Sequence, residues 1–192
     1  TQICMNDYKY VDLILGKQCQ TKMGRGGIRP LEFKTFSKEM QNAITNYCQA
    51  GGNFFVSGAY VASDLWDNRL VKANEEDKKF AMEVLKYKWR VGQAARNGKV
   101  KSVASPFPEI TGSYTYYQDL NPESYVVESP DALEPAAQGA FTILRYSENN
   151  LSAGIAYKGN YKTCVLGFPF EAIRTVTERE LLMKAILTFF EH

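Results

Sequence analysis

The sequence predicts an α/β domain with a mainly parallel sheet and antiparallel excursions in its second half. Three features predict it: a short apolar run ending in glycine at residues 11–16, an amphipathic pattern after Ser37, and a second apolar run at 54–58. A strand, a helix and a strand in this order form the βαβ unit, whose helix joins two parallel strands. Another apolar run at residues 161–168 predicts a further buried strand.

The first helix is predicted to begin after Ser37, whose hydroxyl can cap it, and to end at Gly51-Gly52. Residues 17–36 before it are predicted to be a loop. Apolar residues recur along one face of this helix, namely Met40, Ala43, Ile44, Tyr47 and Cys48.

A second helix is predicted from Asn74 to about Tyr87, because the acidic residues 75–77 suit the positive end of a helix dipole. Short alternating or β-branched runs follow, separated by proline, asparagine and glycine, and they predict antiparallel strands. These runs are 100–103, 125–127, 141–146 and 151–157.

The last helix has the clearest start signal. Thr177 and Glu180 have the spacing of a capping box, and Val176 can form a hydrophobic staple with Leu181. The apolar face that follows consists of Leu182, Ala185, Ile186 and Phe189.

Length and composition limit the possible functions. A chain of 192 residues that is 45% hydrophobic can bury one core, so residues 1–192 are predicted to form a single domain, which we expect to be the C-terminal portion of a longer protein. The net charge is only +2 and the acidic and basic residues are interspersed, so no nucleic-acid partner is predicted. No apolar run approaches 18 residues, so no membrane span is predicted. His192 is the only histidine, which excludes mechanisms that need an internal imidazole.

The cysteines give no metal-binding pattern. Cys4, Cys19, Cys48 and Cys164 are widely spaced, and no histidine can complete a zinc site, so no metal and no cofactor are expected. Cys48 and Cys164 fall on buried-looking positions and are predicted to be inert core thiols. Whether Cys4 pairs with Cys19 stays open, because sequence does not give their separation.

Two segments hold candidate catalytic residues. Ser57-Gly58-Ala59-Tyr60 follows a buried strand, where α/β enzymes can place a nucleophile on a tight turn, although Ser57 lacks an imidazole to take its proton. The alternative is a tight turn packed beneath a helix. Asp64, Trp66 and Asp67 could share a cation or flank a sugar ring, or they could be helix caps and turn formers.

Candidate ligand-binding residues lie beyond the predicted carboxyl ends of the parallel strands, where open α/β sheets bind ligands. They include Lys17, Gln18 and Gly58. Arg25 lies in a glycine-rich segment, residues 24–29, that could hold a carboxylate or phosphate, or could be a mobile surface loop. Tyrosine clusters could supply stacking surfaces for sugars or half-buried packing.

Three segments resemble a known group of proteins. They are YVDLILGKQ at residues 10–18, YCQAGGNFFVSGAYVASDLWDN at 47–68 and AYKGNYKTCVLGFPFE at 156–171. Together they resemble the C-terminal part of large secreted bacterial proteins labelled xanthan lyase. Such regions are similar to class I glutamine amidotransferase-like domains, which implies a flavodoxin-like, three-layer α/β/α sandwich.

The same resemblance implies that amidotransferase chemistry is lost, because no cysteine stands at residues 57–60 and no histidine at residues 167–171. It implies a secreted, periplasmic or cell-surface protein whose partners are a polysaccharide or oligosaccharide and other domains of the same chain. The expected function is a non-catalytic accessory or recognition module. The alternative is a lyase or hydrolase acting on an anionic glycan, with Tyr60, Asp64 and Arg25 as the residues to test first.

Overall fold

The structure is a computed structural model that describes residues 4–22, 31–67 and 74–192. The helices of these residues are α1 (Lys38–Gln49), α2 (Ser63–Trp66), α3 (Glu75–Phe80) and α4 (Val176–Glu191). The strands are β1 (Tyr10–Ile14), β2 (Thr21–Lys22), β3 (Leu31–Glu32), β4 (Asn53–Ser57), β5 (Tyr87–Val91), β6 (Lys99–Ser102), β7 (Ser113–Thr115), β8 (Ala132–Pro135), β9 (Ala140–Tyr146), β10 (Ser152–Lys158) and β11 (Lys162–Leu166).

The main sheet has seven strands in the order β1-β4-β11-β10-β9-β6-β7. The predicted βαβ unit is present, because β1 and β4 are adjacent and parallel with α1 between them in the chain. β4 also pairs with β11 in parallel. The four remaining pairings of this sheet are antiparallel, so the prediction of a mainly parallel sheet is wrong.

Connection length explains this outcome. A parallel crossover needs a dozen or more residues, whereas residues 147–151 join β9 to β10 and residues 159–161 join β10 to β11. Both links are long enough only for hairpins. Hairpins also supply no crossover helices, so the predicted flavodoxin-like, three-layer α/β/α sandwich is wrong as well, and the sheet is instead a strongly curled, mixed and mostly antiparallel half-barrel.

The core divides between the two faces of β4. Phe54 and Val56 join one apolar cluster with the inner face of α1, whereas Phe55 joins the other cluster with the inner face of α4. The alternation follows from the two-residue period of a strand. Both helices therefore cover the parallel end of the sheet, and they bury the apolar faces that the sequence predicted, except for the partly buried Met40 and the exposed Ala43 of α1.

Three local predictions need correction. The capping box of α4 is formed by Thr175 and Glu178, because Thr175 has the non-helical backbone and its hydroxyl accepts the Glu178 N–H; Thr177 lies inside the helix. The predicted second helix consists of α3 and a π-helical turn that follows it, and it ends at Leu85 and not near Tyr87. There Lys86, in the left-handed conformation, turns the chain into β5. Residues 125–127 form no strand, since Val127 makes a single backbone hydrogen bond to Tyr117.

The four cysteines are free thiols. Cys48 and Cys164 are buried, as predicted, and burial raises the pKa of Cys48 to about 12. Burial also raises the pKa of Cys164, so both groups are uncharged core thiols at neutral pH.

Candidate binding site at the carboxyl ends of the parallel strands

The carboxyl ends of β1, β4 and β11 are tied together by backbone hydrogen bonds. The Ala59 N–H donates to Gly16 O at 2.9 Å, and the Gly58 N–H donates to Leu166 O at 3.3 Å. A side chain on Gly58 would place its Cβ 2.9 Å from Leu15 Cβ, so the close crossing requires glycine. β4 lies between β1 and β11, and turn residues 59–62 lead from it directly into α2. The tight turn predicted as the alternative to a nucleophile is therefore confirmed.

Ser57 is fully buried at this turn. Its Oγ accepts the Phe170 N–H at 3.2 Å and so fixes the segment that follows β11. The hydroxyl therefore anchors the neighbouring chain.

Asp64 is also fully buried. One carboxylate oxygen accepts the Gln20 N–H at 2.9 Å, and the other accepts the Thr35 N–H at 2.7 Å and the Thr35 hydroxyl at 2.5 Å. Burial raises the pKa of this carboxyl, whereas the bonds from Thr35 and Gln20 oppose the rise. Asp64 thus ties together the chain on both sides of residues 23–30, and Arg25 lies outside the described residues.

Lys17 is brought to the same edge by the end of β1. Its Nζ forms an ion pair with Glu128 at 2.6 Å and lies 5.7 Å from the ring centroid of Tyr125. Tyr60 is half-buried nearby, within hydrogen-bonding reach of Ser129, and burial is the main cause of its raised pKa. Lys17, Tyr60, Tyr125, Glu128 and Glu171 together form what we call the carboxyl-end cluster.

Glu171 links the cluster to the edge strand. Its Oε1 accepts the Tyr125 hydroxyl, and its Oε2 is buried with no hydrogen-bond partner in the described parts of the chain. Gly16 leaves room here, since a Cβ would lie 3.3 Å from both Glu171 Oε1 and Tyr125 Oη. Although Asp12 is an exposed residue, desolvation of its carboxylate and repulsion from Glu171 raise its pKa to about 6.

The other candidate residues lie outside this cluster. Gln18 is exposed and donates from Nε2 to Lys34 O at 2.9 Å. Trp66 packs on the α1 side of the sheet, with its ring centroid 6.2 Å from that of Tyr87, and Asp67 is buried. The structure therefore does not bring Trp66 next to Tyr60 and Tyr125, which pack on the α4 side.

Asp131 is a buried carboxyl that sequence reasoning missed. Its Oδ2 accepts the N–H groups of Ala62 and Ser63, each at 2.8 Å, and caps the first turn of α2. Burial raises the pKa of Asp131 to about 7, while these bonds oppose the rise. Sequence reasoning also missed Tyr125, Glu128 and Glu171 as members of the carboxyl-end cluster; the weak available signal was Glu171, which follows the predicted strand at 161–168.

Within residues 4–22, 31–67 and 74–192, no group of three or more histidine, cysteine, aspartate or glutamate residues could hold a metal ion. In the same ranges, no helix combines the length and apolar character needed to cross a bilayer.

No family model and no curated protein matches the chain. Among solved structures, it is similar to a β-galactosidase from Rahnella sp. R3, with a TM-score of 0.57 and 11% identity over 99% of this chain and 24% of that chain. A GH42 β-galactosidase from G. stearothermophilus gives a TM-score of 0.54 and 10% identity over 96% of this chain and 22% of that chain. An exo-β-1,4-mannosidase from Opitutaceae bacterium strain TAV5 gives a TM-score of 0.50 and 9% identity over 96% of this chain and 25% of that chain.

The chain thus spans about a quarter of the length of these glycosidase chains, and at such low identity the likeness concerns the fold alone. The resemblance to xanthan lyase-labelled proteins and to flavodoxin-like amidotransferase domains is wrong, because the curled, mostly antiparallel sheet matches a segment of a β-galactosidase. The three sequence segments cover strands and their turns, and they do not specify how the remaining strands pair.

Proposed function

We propose that this chain is a non-catalytic carbohydrate-recognition module of a larger carbohydrate-processing protein, and that the carboxyl-end cluster binds the sugar. The fold supports the proposal because the similar segments belong to β-galactosidases and a mannosidase. The other domains of the same protein and a polysaccharide or oligosaccharide would be its partners.

The observation that carries the proposal is the arrangement around Tyr125. Its half-buried ring lies beside the Lys17 ammonium, and its hydroxyl is held by Glu171. Sugar sites combine an aromatic face, which packs against the apolar face of the ring, with a few polar groups that bind hydroxyls. The half-buried Tyr60 and the exposed Glu128 supply such groups around the same edge.

The charge of the cluster favours a neutral sugar. Lys17 is paired with Glu128, whereas Glu171 contacts the Tyr125 hydroxyl and Asp12 adds a further carboxylate near Glu171. A uronic acid at this position would meet an excess of negative charge, whereas hydroxyl groups can donate to the carboxylates.

Three groups support a non-catalytic role. Ser57 and Asp64 are fully buried and occupied by hydrogen bonds within the protein. Tyr60 has a raised pKa, so its phenol is protonated at neutral pH and is a poor base. The alternative of a lyase or hydrolase makes a distinct demand: an acidic polysaccharide incubated with the chain should yield unsaturated ends that absorb in the ultraviolet, and Tyr60→Phe should abolish them.

The experiment is calorimetric titration of the chain with galacto-oligosaccharides and manno-oligosaccharides. We expect binding that Tyr125→Ala abolishes, because both the ring and the hydroxyl are lost, and that Tyr125→Phe weakens but retains. The matched control is Tyr8→Ala, since Tyr8 is 53% exposed and precedes the amino end of β1, whereas the cluster lies at the carboxyl end. Absence of binding to every sugar, or equal loss in Tyr8→Ala, would overturn the proposal.

We further propose that the whole protein is secreted, periplasmic or on the cell surface, because extended polysaccharides are met outside the cell. Fractionation of cells that express the full-length protein tests this location.

A further inference from the structure

A groove on the β5–β8 ribbon carries an excess of positive charge. It is lined by Lys88 and Arg90 of β5, Glu134 of β8, and Arg145 of β9. Lys88 lies directly opposite Glu134 in the strand register. Glu134 is shared between two cations, with its carboxylate oxygens 3.8 Å from Lys88 Nζ and 3.6 Å from Arg90 Nε. We call this the basic groove.

Arg145 is the third cation of the basic groove. Its Nη1 donates to Asn150 O at 2.7 Å, which orients the guanidinium through a neutral acceptor. Among the described residues, no carboxylate pairs with it. Lys101 of β6 lies opposite Arg145 in the register and adds positive charge beside the groove.

The groove has the volume of a small-ligand site. Its volume is about 390 Å³, within the usual range for such sites. Leu133 is a buried lining residue, and the hydroxyls of Thr142 and Ser152 lie 3.2 Å apart at its wall. A ligand here would meet an apolar surface, two hydroxyls and three cations, of which only Lys88 and Arg90 are paired with a carboxylate.

We propose that the basic groove binds the anionic group of an acidic saccharide, either the carboxylate of a uronic acid or a sulfate ester. The anion follows from the charge excess, because guanidinium groups form paired hydrogen bonds with planar carboxylates and with other oxyanions. The saccharide carrier rests on the proposed function. This site is separate from the carboxyl-end cluster, so the two are tested independently.

Glu134 is the internal competitor of the ligand in this proposal. It neutralises part of the charge of Lys88 and Arg90, so its removal leaves both cations available to a bound anion. Glu134→Gln is therefore expected to strengthen binding several-fold. A variant that only damaged the fold could not produce this gain.

The test is titration of the chain with three probes of similar length: an oligogalacturonate, a sulfated oligosaccharide and a neutral galactan oligomer. We expect one of the acidic probes to bind, with an affinity that falls as NaCl rises. Which acidic probe binds distinguishes the carboxylate from the sulfate source. Arg90→Gln and Arg145→Gln should each weaken this binding roughly tenfold, in line with the loss of one charge-assisted hydrogen-bonded contact.

Lys184→Gln is the matched control, because Lys184 is an exposed cation on α4, outside the basic groove. Circular dichroism of each variant checks that the fold is retained. Binding of the neutral oligomer alone, lost in Tyr125→Ala, would overturn this inference and leave the proposed function standing. Binding of an acidic probe that is insensitive to Arg90, Arg145 and Glu134 would also overturn it, as would binding of neither acidic probe; the proposed function is then decided by its own titration with neutral oligosaccharides.

Discussion

Burial of the Asp131 carboxyl should make the free energy of unfolding of this protein depend on pH. The carboxyl is fully buried, and its pKa is raised from 3.8 to about 7 in the folded protein. In the unfolded chain its pKa returns to the ordinary value, so the folded state binds more protons between about pH 4 and pH 7. The contribution of Asp131 to the free energy of unfolding is therefore largest below pH 4 and is lost as the pH rises through 7.

The magnitude follows from the shift. A rise of roughly three pKa units corresponds to about 4 kcal/mol, because one unit is worth about 1.4 kcal/mol. Asp131→Asn removes the titration but keeps an oxygen that can accept the N–H groups of Ala62 and Ser63. We expect the free energy of unfolding of the parent, relative to that of Asp131→Asn, to fall by up to about 4 kcal/mol between pH 4 and pH 8.

Urea unfolding of both proteins at pH 4, 6 and 8 measures this difference. The comparison uses the change with pH, so any pH-independent effect of replacing the carboxyl group by an amide cancels. Asp7→Asn is the matched control, because it makes the same substitution at an exposed position. Equal pH dependence in the parent and in Asp131→Asn would refute the reasoning, since it would mean that Asp131 has the same pKa in the folded and the unfolded protein.

Two further predictions concern α4. Leu182→Ala and Phe189→Ala should each lower the free energy of unfolding by about 2 to 5 kcal/mol, because both side chains are buried and leave a cavity, whereas Leu181→Ala at a 57% exposed position should change it little. Denaturation curves that match the parent would show that α4 is not docked. Thr175→Ala should cost about 1 kcal/mol through loss of the capping hydrogen bond, and Thr177→Ala less; the reverse order in thermal unfolding would contradict the observed cap.

Local sequence patterns determined the helices α1 and α4, the buried strand β4 and the inert thiols of Cys48 and Cys164. These features depend on residues that are close in the chain. Apolar residues spaced by 3.6 positions in a helix, or by two in a strand, lie on one face, so their spacing predicts which face is buried. The turn at Gly58 is also local, because its apolar strand and its glycine are adjacent in the chain. The sequence placed the cap of α4 two residues too late, because two overlapping T-x-x-E patterns, 175–178 and 177–180, both have the spacing of a capping box.

Only the tertiary structure decided the directions of the strands and which residues meet in the carboxyl-end cluster and the basic groove. An apolar run has the same pattern whether its neighbour is parallel or antiparallel, so the sequence alone did not distinguish a mainly parallel sheet from the mixed sheet observed. The carboxyl-end cluster joins Lys17 to Glu128, and the basic groove joins Arg90 to Arg145. Such pairs are far apart in the chain, and their proximity arises from strand order and curl, which are set by the packing of the whole sheet.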